Sequence, residues 1–328
     1  MRCVVLGSNS FAGSGFVHHA LNHGDTVIGI SRSPEPNDIF LPYKRNPRQD
    51  AFSFHQLDLN RDLPEITRLL GELRPDVVVD FAGQGMVAES WNQPEQWYRT
   101  NITAKVRLHD YLRSCDWLRK YIRISTPEVY GGCADLLKET TVYNPSTPYA
   151  VSHAAIDMSL TAFHRHYGFP VVFARFANFF GPGQQLYRII PKTILYMRSG
   201  KKLPLHGGGT SVRSFLYIDD VSAGIRRAID AGQAGEIYHF STTEFPTIRR
   251  VVETICERMG VQFETATELV PDRPGKDSAY LTDAGKARST LGWQPAVMLT
   301  EGIDRTVAWV DSNMVTIRRL SWDYVHKE

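Results

Sequence analysis

Short apolar runs alternate with stretches of helical periodicity along the first half of the chain. The runs are too brief for helices, and polar or glycine residues close them, which is typical of buried strands. Asp62 precedes one helical stretch as a candidate cap. The pattern predicts strands over residues 3–6, 26–30, 52–57, 77–79, 121–124 and 171–175, and helices over residues 14–22, 62–73 and 151–166.

This alternation predicts an α/β fold, with a Rossmann-type doubly wound parallel sheet within residues 1–177. From Asn178 onward the pattern changes to loops and shorter elements. It predicts a smaller C-terminal α/β region over residues 178–313, from which some segments can return to the sheet. Residues 314–328 form a tail whose pattern indicates no role.

A glycine-rich turn joins the first predicted strand to the first helix. Gly7 allows a tight turn, and Gly13 allows the helix to pack closely on the strand. Ser10 and Phe11 lie between them, where the N–H groups of a helix N-terminus favour phosphate. The turn therefore predicts a binding site for the pyrophosphate of a dinucleotide, with the Ser10 hydroxyl as a further donor.

Composition narrows the range of partners. The 328 residues include 37 Lys and Arg against 35 Asp and Glu, so the net charge of +2 indicates neither a nucleic acid nor an anionic membrane as partner. The 4 cysteines are far apart, which indicates reduced thiols and neither disulfides nor a zinc site. No stretch approaches the ~18 apolar residues of a membrane span, and no signal peptide is apparent. We expect a cytoplasmic protein without a metal.

Acid and base side chains follow the strand predicted at residues 121–124. Ser125, Thr126 and Glu128 come directly after it, and Tyr149 and His153 open the next helix. Being four residues apart, Tyr149 and His153 share one helix face. Hydroxyls, a carboxylate and a phenol at the end of a buried strand are suited to proton transfer.

These residues carry a resemblance to a known family. Ser-Thr-Pro-Glu-Val-Tyr-Gly at residues 125–131, followed by Tyr-x-x-x-His at 149–153, resembles the core of the extended short-chain dehydrogenase/reductases, in particular the nucleotide-sugar 4,6-dehydratases. Those enzymes have Asp or Ser at the position of Pro127 and Lys at that of His153. Asn-Phe-Phe-Gly-Pro at 178–182, the segment 204–221 and Asp-Arg-Pro-Gly-Lys-Asp at 272–277 extend the resemblance over residues 1–313.

The resemblance implies a nicotinamide dinucleotide as cofactor. The second predicted strand is followed by Ser31 and Arg32. An arginine there accommodates the 2′-phosphate of NADP, whereas Asp or Glu would accept bonds from the ribose of NAD. We therefore expect NADP, with NAD as the alternative. The residues expected to contact the cofactor are Gly7, Ser10, Phe11, Gly13, Ser31, Arg32, Asp58, Leu59, Phe81, Ala82, Gly83, Tyr149 and His153.

The resemblance also implies a nucleotide diphosphate sugar as substrate and a homodimer as the assembly. It implies that residues 1–177 hold the dinucleotide and the catalytic residues, and that residues 178–313 mainly bind the nucleotide sugar. Arg213 and Arg273 are expected at the phosphates, because a guanidinium donates as a fork. Gln84 and Glu89 are expected at the sugar. The nucleotide is expected to meet Asn178 and Ile190.

In the enzymes that this chain resembles, hydride leaves C4 of the sugar while the tyrosine takes the O4 proton. A glutamate then takes the C5 proton, an oxygen leaves C6, and the hydride returns to C6. By position, Tyr149 is the first base and Glu128 the second, and Thr126 and Ser125 orient O4. His153 is shorter than lysine and mainly neutral near pH 7, so Tyr149 is expected to be a poorer base unless another cation helps.

A 4,6-dehydratase is the function that these motifs favour. Pro127 offers no proton donor, so an epimerase, a decarboxylase or a 4-ketoreductase on the same scaffold stays open. The third interpretation is a nucleotide-sugar binding homologue without catalysis. The Tyr149→Phe variant separates this last interpretation, because it would leave a pure binding function intact.

Overall fold

Parallel strands dominate the architecture. The computed structural model describes residues 1–272 and 279–327. In chain order the strands are β1 Arg2–Leu6, β2 Thr26–Ser31, β3 Phe52–Gln56, β4 Val77–Asp80, β5 Lys120–Ser125, β6 Cys133–Leu137, β7 Val171–Phe176, β8 Asn178–Phe180, β9 Leu203–His206, β10 Phe215–Tyr217, β11 Ile237–Phe240, β12 Thr267–Val270 and β13 Tyr280–Thr282. Seven of them form one sheet in the order β11-β7-β5-β4-β1-β2-β3, and the other six pair as β10-β8, β12-β9 and β13-β6.

Helices connect the strands and cover both faces of the large sheet. In chain order they are α1 Phe11–Asn22, α2 Leu63–Leu73, α3 Pro94–Tyr98, α4 Lys105–Leu112, α5 Pro148–Tyr167, α6 Ile189–Arg198, α7 Ile218–Ala231, α8 Ile248–Met259, α9 Phe263–Ala266, α10 Gly285–Leu291 and α11 Leu299–Ile317. A π-helical segment, Arg99–Ala104, leads into α4.

The core divides into two layers because side chains alternate across each strand. In β1, Val5 packs with α1 and α7 on one face, in a cluster that includes Phe16. Val4 and Leu6 point to the opposite face, where α2, α4 and α5 pack. A sheet covered on both sides explains why its strands read as continuous apolar runs, and it confirms the predicted doubly wound fold.

The sheet order brings the predicted site residues to one edge. β1 lies between β2 and β4, and β5 lies beside β4, all parallel. The carboxyl ends of these four strands therefore meet at the same edge, next to the point where the chain reverses its direction of strand addition. Open parallel sheets bind ligands at such a point.

Long-range pairing accounts for the differences from the sequence prediction. The segment after Gly131, predicted as loop, contains β6, whose partner β13 is far away in sequence. β11, which lies within residues 178–313, pairs with β7 in the large sheet, a return that the sequence prediction allowed. Met314, the predicted start of the tail, lies inside α11. Local patterns cannot reveal pairings of this kind.

The four cysteines are free thiols. Across residues 1–272 and 279–327, no helix combines the length and the apolar character needed to cross a membrane. In these same ranges, no cluster of three or more His, Cys, Asp or Glu side chains could hold a metal ion.

We expect the free energy of unfolding to fall as the pH drops below about 6.5. His109 is fully buried and its Nε2 donates to the Tyr121 hydroxyl at 2.9 Å. Burial lowers its pKa to about 3, so at pH 5 the unfolded chain binds a proton that the folded chain does not. This difference removes about 2 kcal/mol of stability between pH 7 and pH 5.

Urea unfolding at the two pH values checks this expectation. His109→Phe should lose about that much of the pH dependence, whereas His166→Phe, at an exposed histidine of α5, should keep it. The same pH dependence in both variants and the wild type would contradict it.

Candidate active site

The end of β5 presents two of the predicted site residues at the edge of the sheet. The strand ends at Ser125, and a 3₁₀ turn, Pro127–Tyr130, follows. Thr126 caps the turn, because its Oγ1 accepts a hydrogen bond from the Glu128 N–H at 3.3 Å. Pro127 fits the first position of the turn, where no N–H is needed. Thr126 and Glu128 are thereby held directly beyond the strand.

The first turn of α5 fixes Tyr149. Thr147 caps this helix with an oxygen that accepts the Ala150 N–H at 3.1 Å, and Pro148 occupies the first helical position. Ser90, in the loop after β4, accepts the N–H of Tyr149 itself at 3.2 Å. The start of the helix is therefore held by its own cap and by a neighbouring loop.

Charges near Tyr149 act on its phenol in opposite directions. Burial and the Glu128 carboxylate raise the pKa of Tyr149 above its ordinary value. A hydrogen bond with Thr126 and the charges of Arg188 and Arg123 act to lower this pKa. The structure thus brings together Tyr149, Thr126 and Glu128, which the sequence assigns to one site.

His153 lies one turn after Tyr149, with 4.5 Å between the two ring centroids. Its Nδ1 lies 3.0 Å from Nη2 of Arg123, which projects from β5. An arginine can only donate, so Nδ1 accepts and the neutral ring carries its hydrogen on Nε2. Burial and the charge of Arg123 lower the pKa of His153 well below its ordinary value. His153 is therefore neutral, as the sequence predicts.

A buried ionic network lies beneath the start of α5. Asp157 accepts hydrogen bonds from Nε of Arg123 at 3.1 Å and from Nη2 of Arg175 at 3.0 Å. Asp80, opposite Arg123 in the register of β4 and β5, accepts from Lys105 at 2.7 Å. Each of the five side chains is at most 1% exposed. Within this network, three cations therefore face two carboxylates in the interior.

Ser125 belongs to the same network. Its hydroxyl donates to Oδ2 of Asp157 at 2.5 Å, and the residue is 5% exposed. Because this hydrogen is used inside the protein, the predicted role of Ser125 in orienting a sugar oxygen is limited to accepting a hydrogen bond. Thr126 is the hydroxyl that bonds with Tyr149.

The glycine-rich turn fits the pyrophosphate of a dinucleotide. Gly7 has a φ of +79°, and a Cβ on Gly13 would lie 2.1 Å from the Gly7 carbonyl oxygen. Only glycine therefore lets α1 begin this close to β1. The Ser10 hydroxyl donates to the Gly7 carbonyl at 2.7 Å, so its hydrogen stays within the turn and does not reach a phosphate. The N–H groups at the start of α1, from Phe11 onward, are the donors that a phosphate would meet.

The other residues predicted at the cofactor lie at neighbouring strand ends. Ser31 ends β2 and accepts the N–H of Asn9, in the glycine-rich turn, at 3.3 Å. Arg32 follows it. A second group follows β3 and β4 at the same edge; it consists of Asp58, Leu59, Phe81, Ala82 and Gly83. Leu59 packs in the hydrophobic core, which leaves its main chain for contact with a ligand.

Asn101 ties the loop after β4 to α5. Its side chain accepts the N–H of Gln84 at 2.8 Å and donates to the carbonyl of the same residue at 3.1 Å. It also donates to the Ser152 hydroxyl at 3.0 Å. Asn101 therefore has a structural role, and it leaves the Gln84 side chain directed elsewhere.

The residues predicted at the substrate are more scattered. Glu89 has a buried Oε2 without a hydrogen-bond partner in residues 1–272 and 279–327, so it can accept from a sugar hydroxyl. Asn178 is exposed, and the side chain of Ile190 lies in the core. The Arg213 guanidinium lies 4.0 Å from the centroid of the Tyr280 ring. Arg273 lies outside the described residues.

The C-terminal segment lies against the residues predicted at the cofactor. The carbonyl of Lys327 accepts hydrogen bonds from Nη2 of Arg32 at 3.0 Å and from Nε2 of Gln84 at 2.7 Å. The preceding His326 stacks on Trp97, with 5.5 Å between ring centroids and an angle of 13°. The end of the chain therefore contacts two strand ends of the site.

Comparison with known proteins decides the family. The family model described as GDP-mannose 4,6 dehydratase matches residues 4–306. The chain belongs to this family. The extended short-chain dehydrogenase/reductase family predicted from the sequence is thereby confirmed, as is the Rossmann-type sheet.

Named relatives and solved structures agree with this family membership. dTDP-glucose 4,6-dehydratase of Neisseria gonorrhoeae is 32% identical, over 94% of this chain and 95% of the relative. The structure of DesIV, a dTDP-glucose 4,6-dehydratase of Streptomyces venezuelae with NAD bound, is 31% identical with a TM-score of 0.88, over 96% of this chain and 98% of DesIV. The UDP-glucose 4-epimerase of Thermotoga maritima is 26% identical with a TM-score of 0.87, over 96% of this chain and 100% of the epimerase.

Sequence reasoning missed Arg123, Asp157 and the role of the C-terminal segment. The sequence contains a signal for Arg123: it is a charged residue inside an apolar strand, and such a residue needs a buried partner of opposite charge. Asp157 lies one turn after His153 on α5, so helical spacing could have nominated it. The contacts of Lys327 join residues that are far apart in sequence, and no local pattern indicates them.

Proposed function

We propose that this member of the family is a nucleotide-sugar 4,6-dehydratase. The observation that carries the proposal is the proximity of Glu128 and Thr126 to Tyr149. The Glu128 carboxylate raises the pKa of the Tyr149 phenol, and a hydrogen bond with Thr126 acts to lower it. Oxidation at C4 needs one base, and proton removal at C5 needs another. A C4 epimerase or a 4-ketoreductase needs the first base alone.

Tyr149 begins the proposed reaction as the phenolate, the form that its hydrogen bond with Thr126 and the charges of Arg188 and Arg123 favour, and it takes the O4 proton of the sugar. The dinucleotide, when bound, accepts the C4 hydride and returns it to C6. The new C4 carbonyl acidifies the C5 proton, and Glu128 takes that proton. Because Pro127 has no side-chain donor, Glu128 passes the same proton to the oxygen that leaves C6, and water departs.

The last step restores a proton to C5 as hydride arrives at C6. Tyr149 has by then released the O4 proton to solvent, and one solvent proton reaches C5 through Glu128. The sugar thus loses one water, and its C4 hydride is found at C6. The residues return to their starting charges.

NADP is the cofactor that we infer for this reaction, with NAD as the alternative. The proposal is supported by Arg32 at the end of β2, since a guanidinium suits a 2′-phosphate. Glu35 is the next acidic residue in the sequence, and its carboxylate forms an ion pair with Nζ of Lys44 at 2.6 Å. This ion pair engages the carboxylate that could otherwise accept a hydrogen bond from the ribose of NAD. DesIV has NAD bound.

A homodimer in the cytoplasm is part of the same proposal. It is supported by Val151 and Met158, two apolar side chains of α5 that are 37% and 59% exposed. They are seven residues apart and so lie on one helix face. A second copy of this helix would cover them.

Product analysis tests the proposed reaction. The purified protein is incubated with dTDP-glucose or GDP-mannose in the presence of NADP or NAD, and the sugar nucleotide is examined by mass spectrometry. A 4-keto-6-deoxy product, lighter than the substrate by one water, is expected. A product of unchanged mass would indicate an epimerase, and no conversion would favour a binding protein.

Glu128→Gln should separate the two halves of the reaction. Removing the second base should lower product formation by about 10²- to 10⁴-fold, while C4 oxidation continues and reduced nicotinamide accumulates. Tyr149→Phe should abolish both signals. Absorbance of the reduced nicotinamide and product mass are the measurements, and Glu95→Gln, at an exposed position of α3, is the matched control. Loss of C4 oxidation in Glu128→Gln would contradict this division of roles.

Arg32→Ala should reveal the cofactor preference. Loss of a charge-assisted hydrogen bond should weaken NADP binding about 10-fold or more, without weakening NAD binding. Isothermal titration with each dinucleotide measures the change, and Arg68→Ala, at a guanidinium that is 61% exposed on α2, is the control. Equal weakening for both dinucleotides would count against NADP.

A further inference from the structure

His153 lacks the charge that lysine supplies in Tyr-x-x-x-Lys sites. We propose that Arg123 is a positioning residue for the base: acting through His153, it supplies the positive charge and the oriented donor beside Tyr149. This inference rests on the proposed function, in which Tyr149 is the first base. Arg123 touches neither sugar nor cofactor in this proposal.

Arg123, His153 and Tyr149 lie in this order from the interior towards the site. Nη2 of Arg123 donates to Nδ1 of His153 at 3.0 Å, and the His153 ring lies 4.5 Å from the Tyr149 ring between centroids. The contact with the guanidinium fixes the tautomer, so Nε2–H is the donor that His153 can offer to a cofactor hydroxyl.

Arginine suits this position better than lysine would. Its Nε donates to Asp157 at 3.1 Å and its Nη1 to the Ile124 carbonyl at 2.8 Å, while Nη2 reaches His153. A single ammonium could not span these three directions. The planar fork therefore holds the imidazole ring and stays bound to its counter-ion.

The surrounding charges leave an excess of one positive charge in the buried network, because three cations face two carboxylates. Burial lowers the pKa of Lys105 to about 8, so this residue is still charged at pH 7. The charged or titratable groups that act on Tyr149, His153 or Arg123 are Glu128, Arg188, Lys105, Arg175, Asp80, Asp157 and Tyr121. In a poorly solvated interior, the excess charge acts over a longer distance than it would in water.

The pH profile of kcat/KM tests the proposal once the wild type is shown to form product. Arg123→Gln should move the limb that reports ionisation of Tyr149 upward by about one pH unit or more. Arg123→Lys should recover part of the shift. Arg175→Gln is the matched control, because it removes one charge of the network but leaves the hydrogen bond between Arg123 and His153 in place, so the limb should move less than in Arg123→Gln. An unmoved limb, or the same shift in Arg175→Gln, would overturn the proposal.

Nitrogen NMR of ¹⁵N-histidine protein supplies a readout that needs neither substrate nor turnover. The signal of His153, assigned by its loss in His153→Gln, should report a neutral ring with hydrogen on Nε2 at pH 7. An Nδ1–H tautomer or an imidazolium would overturn the role of Arg123 and leave the dehydratase proposal standing. Absence of turnover with the expected NMR result would instead count against the proposed reaction.

A second inference concerns the C-terminal segment, residues 323–327. We infer that this segment competes with the dinucleotide for Arg32 and Gln84. Both side chains donate to the Lys327 carbonyl, at 3.0 Å and 2.7 Å. Nζ of Lys327 also lies 3.4 Å from the Ser33 hydroxyl. These contacts lie at the ends of β2 and β4, on either side of the pyrophosphate turn.

Aromatic side chains hold the segment in this position. His326 stacks on Trp97, and its Nε2 donates to the side-chain oxygen Oε1 of Gln96 at 2.6 Å. Tyr324 meets the Tyr187 ring edge-on, with 5.2 Å between centroids. The bound segment therefore has side-chain anchors of its own, and a dinucleotide must displace the Lys327 carbonyl to reach Arg32.

Titration of the wild-type protein and two variants with NADP and NAD tests this competition. The first variant lacks residues 323–328 but keeps Trp322, which packs against the core. It should bind each dinucleotide about 5- to 30-fold more tightly than the wild type, the equivalent of one to two hydrogen bonds. A chain of full length in which Gly and Ser replace residues 323–328 should behave like the shortened one. Unchanged or weaker binding in both would overturn the competition and leave the cofactor proposal intact. Failure of every chain to bind either dinucleotide would overturn both.

Discussion

The bond between Arg123 and Asp157 joins the two elements that form the active site. Arg123 projects from β5 and Asp157 from α5, and both are at most 1% exposed. A buried charge without its partner costs about 3–5 kcal/mol, so strand and helix cannot separate without losing this pair. The relative position of Thr126, at the end of β5, and Tyr149, at the start of α5, follows from that constraint.

The same constraint links the interior to the chemistry. Asp157 also receives the Ser125 hydrogen and the Arg175 guanidinium, so one carboxylate organises three groups beneath the site. Through Arg123 the network reaches His153, whose ring is neutral and adjacent to Tyr149. Histidine at the position of the familiar lysine is therefore accompanied by a more deeply buried cation, Arg123, which lies next to the histidine ring beside Tyr149, the proposed base.

Sequence analysis succeeded where the physics is local. Apolar runs and the constraints on Gly7 and Gly13 predicted the strands of the sheet and the tight turn between β1 and α1, because a single short segment contains the whole reason for each. It failed where a contact joins distant segments: β6 with β13, and Lys327 with Arg32. It also assigned the Ser10 hydroxyl to phosphate and the Ser125 hydroxyl to the sugar. Their bonds to Gly7 and to Asp157 depend on side-chain geometry that spacing does not give.

The fate of the C4 hydrogen tests the central claim most directly. A nucleotide hexose with deuterium at C4, dTDP-glucose or GDP-mannose, is incubated with the protein, and the label in the product is located by NMR and mass spectrometry. Glu128 acting beside Tyr149 predicts that the deuterium is found at C6 of a 4-keto-6-deoxy sugar. Deuterium that stays at C4 of an isomeric sugar, or that leaves with a dissociated dinucleotide, would contradict the dehydratase account.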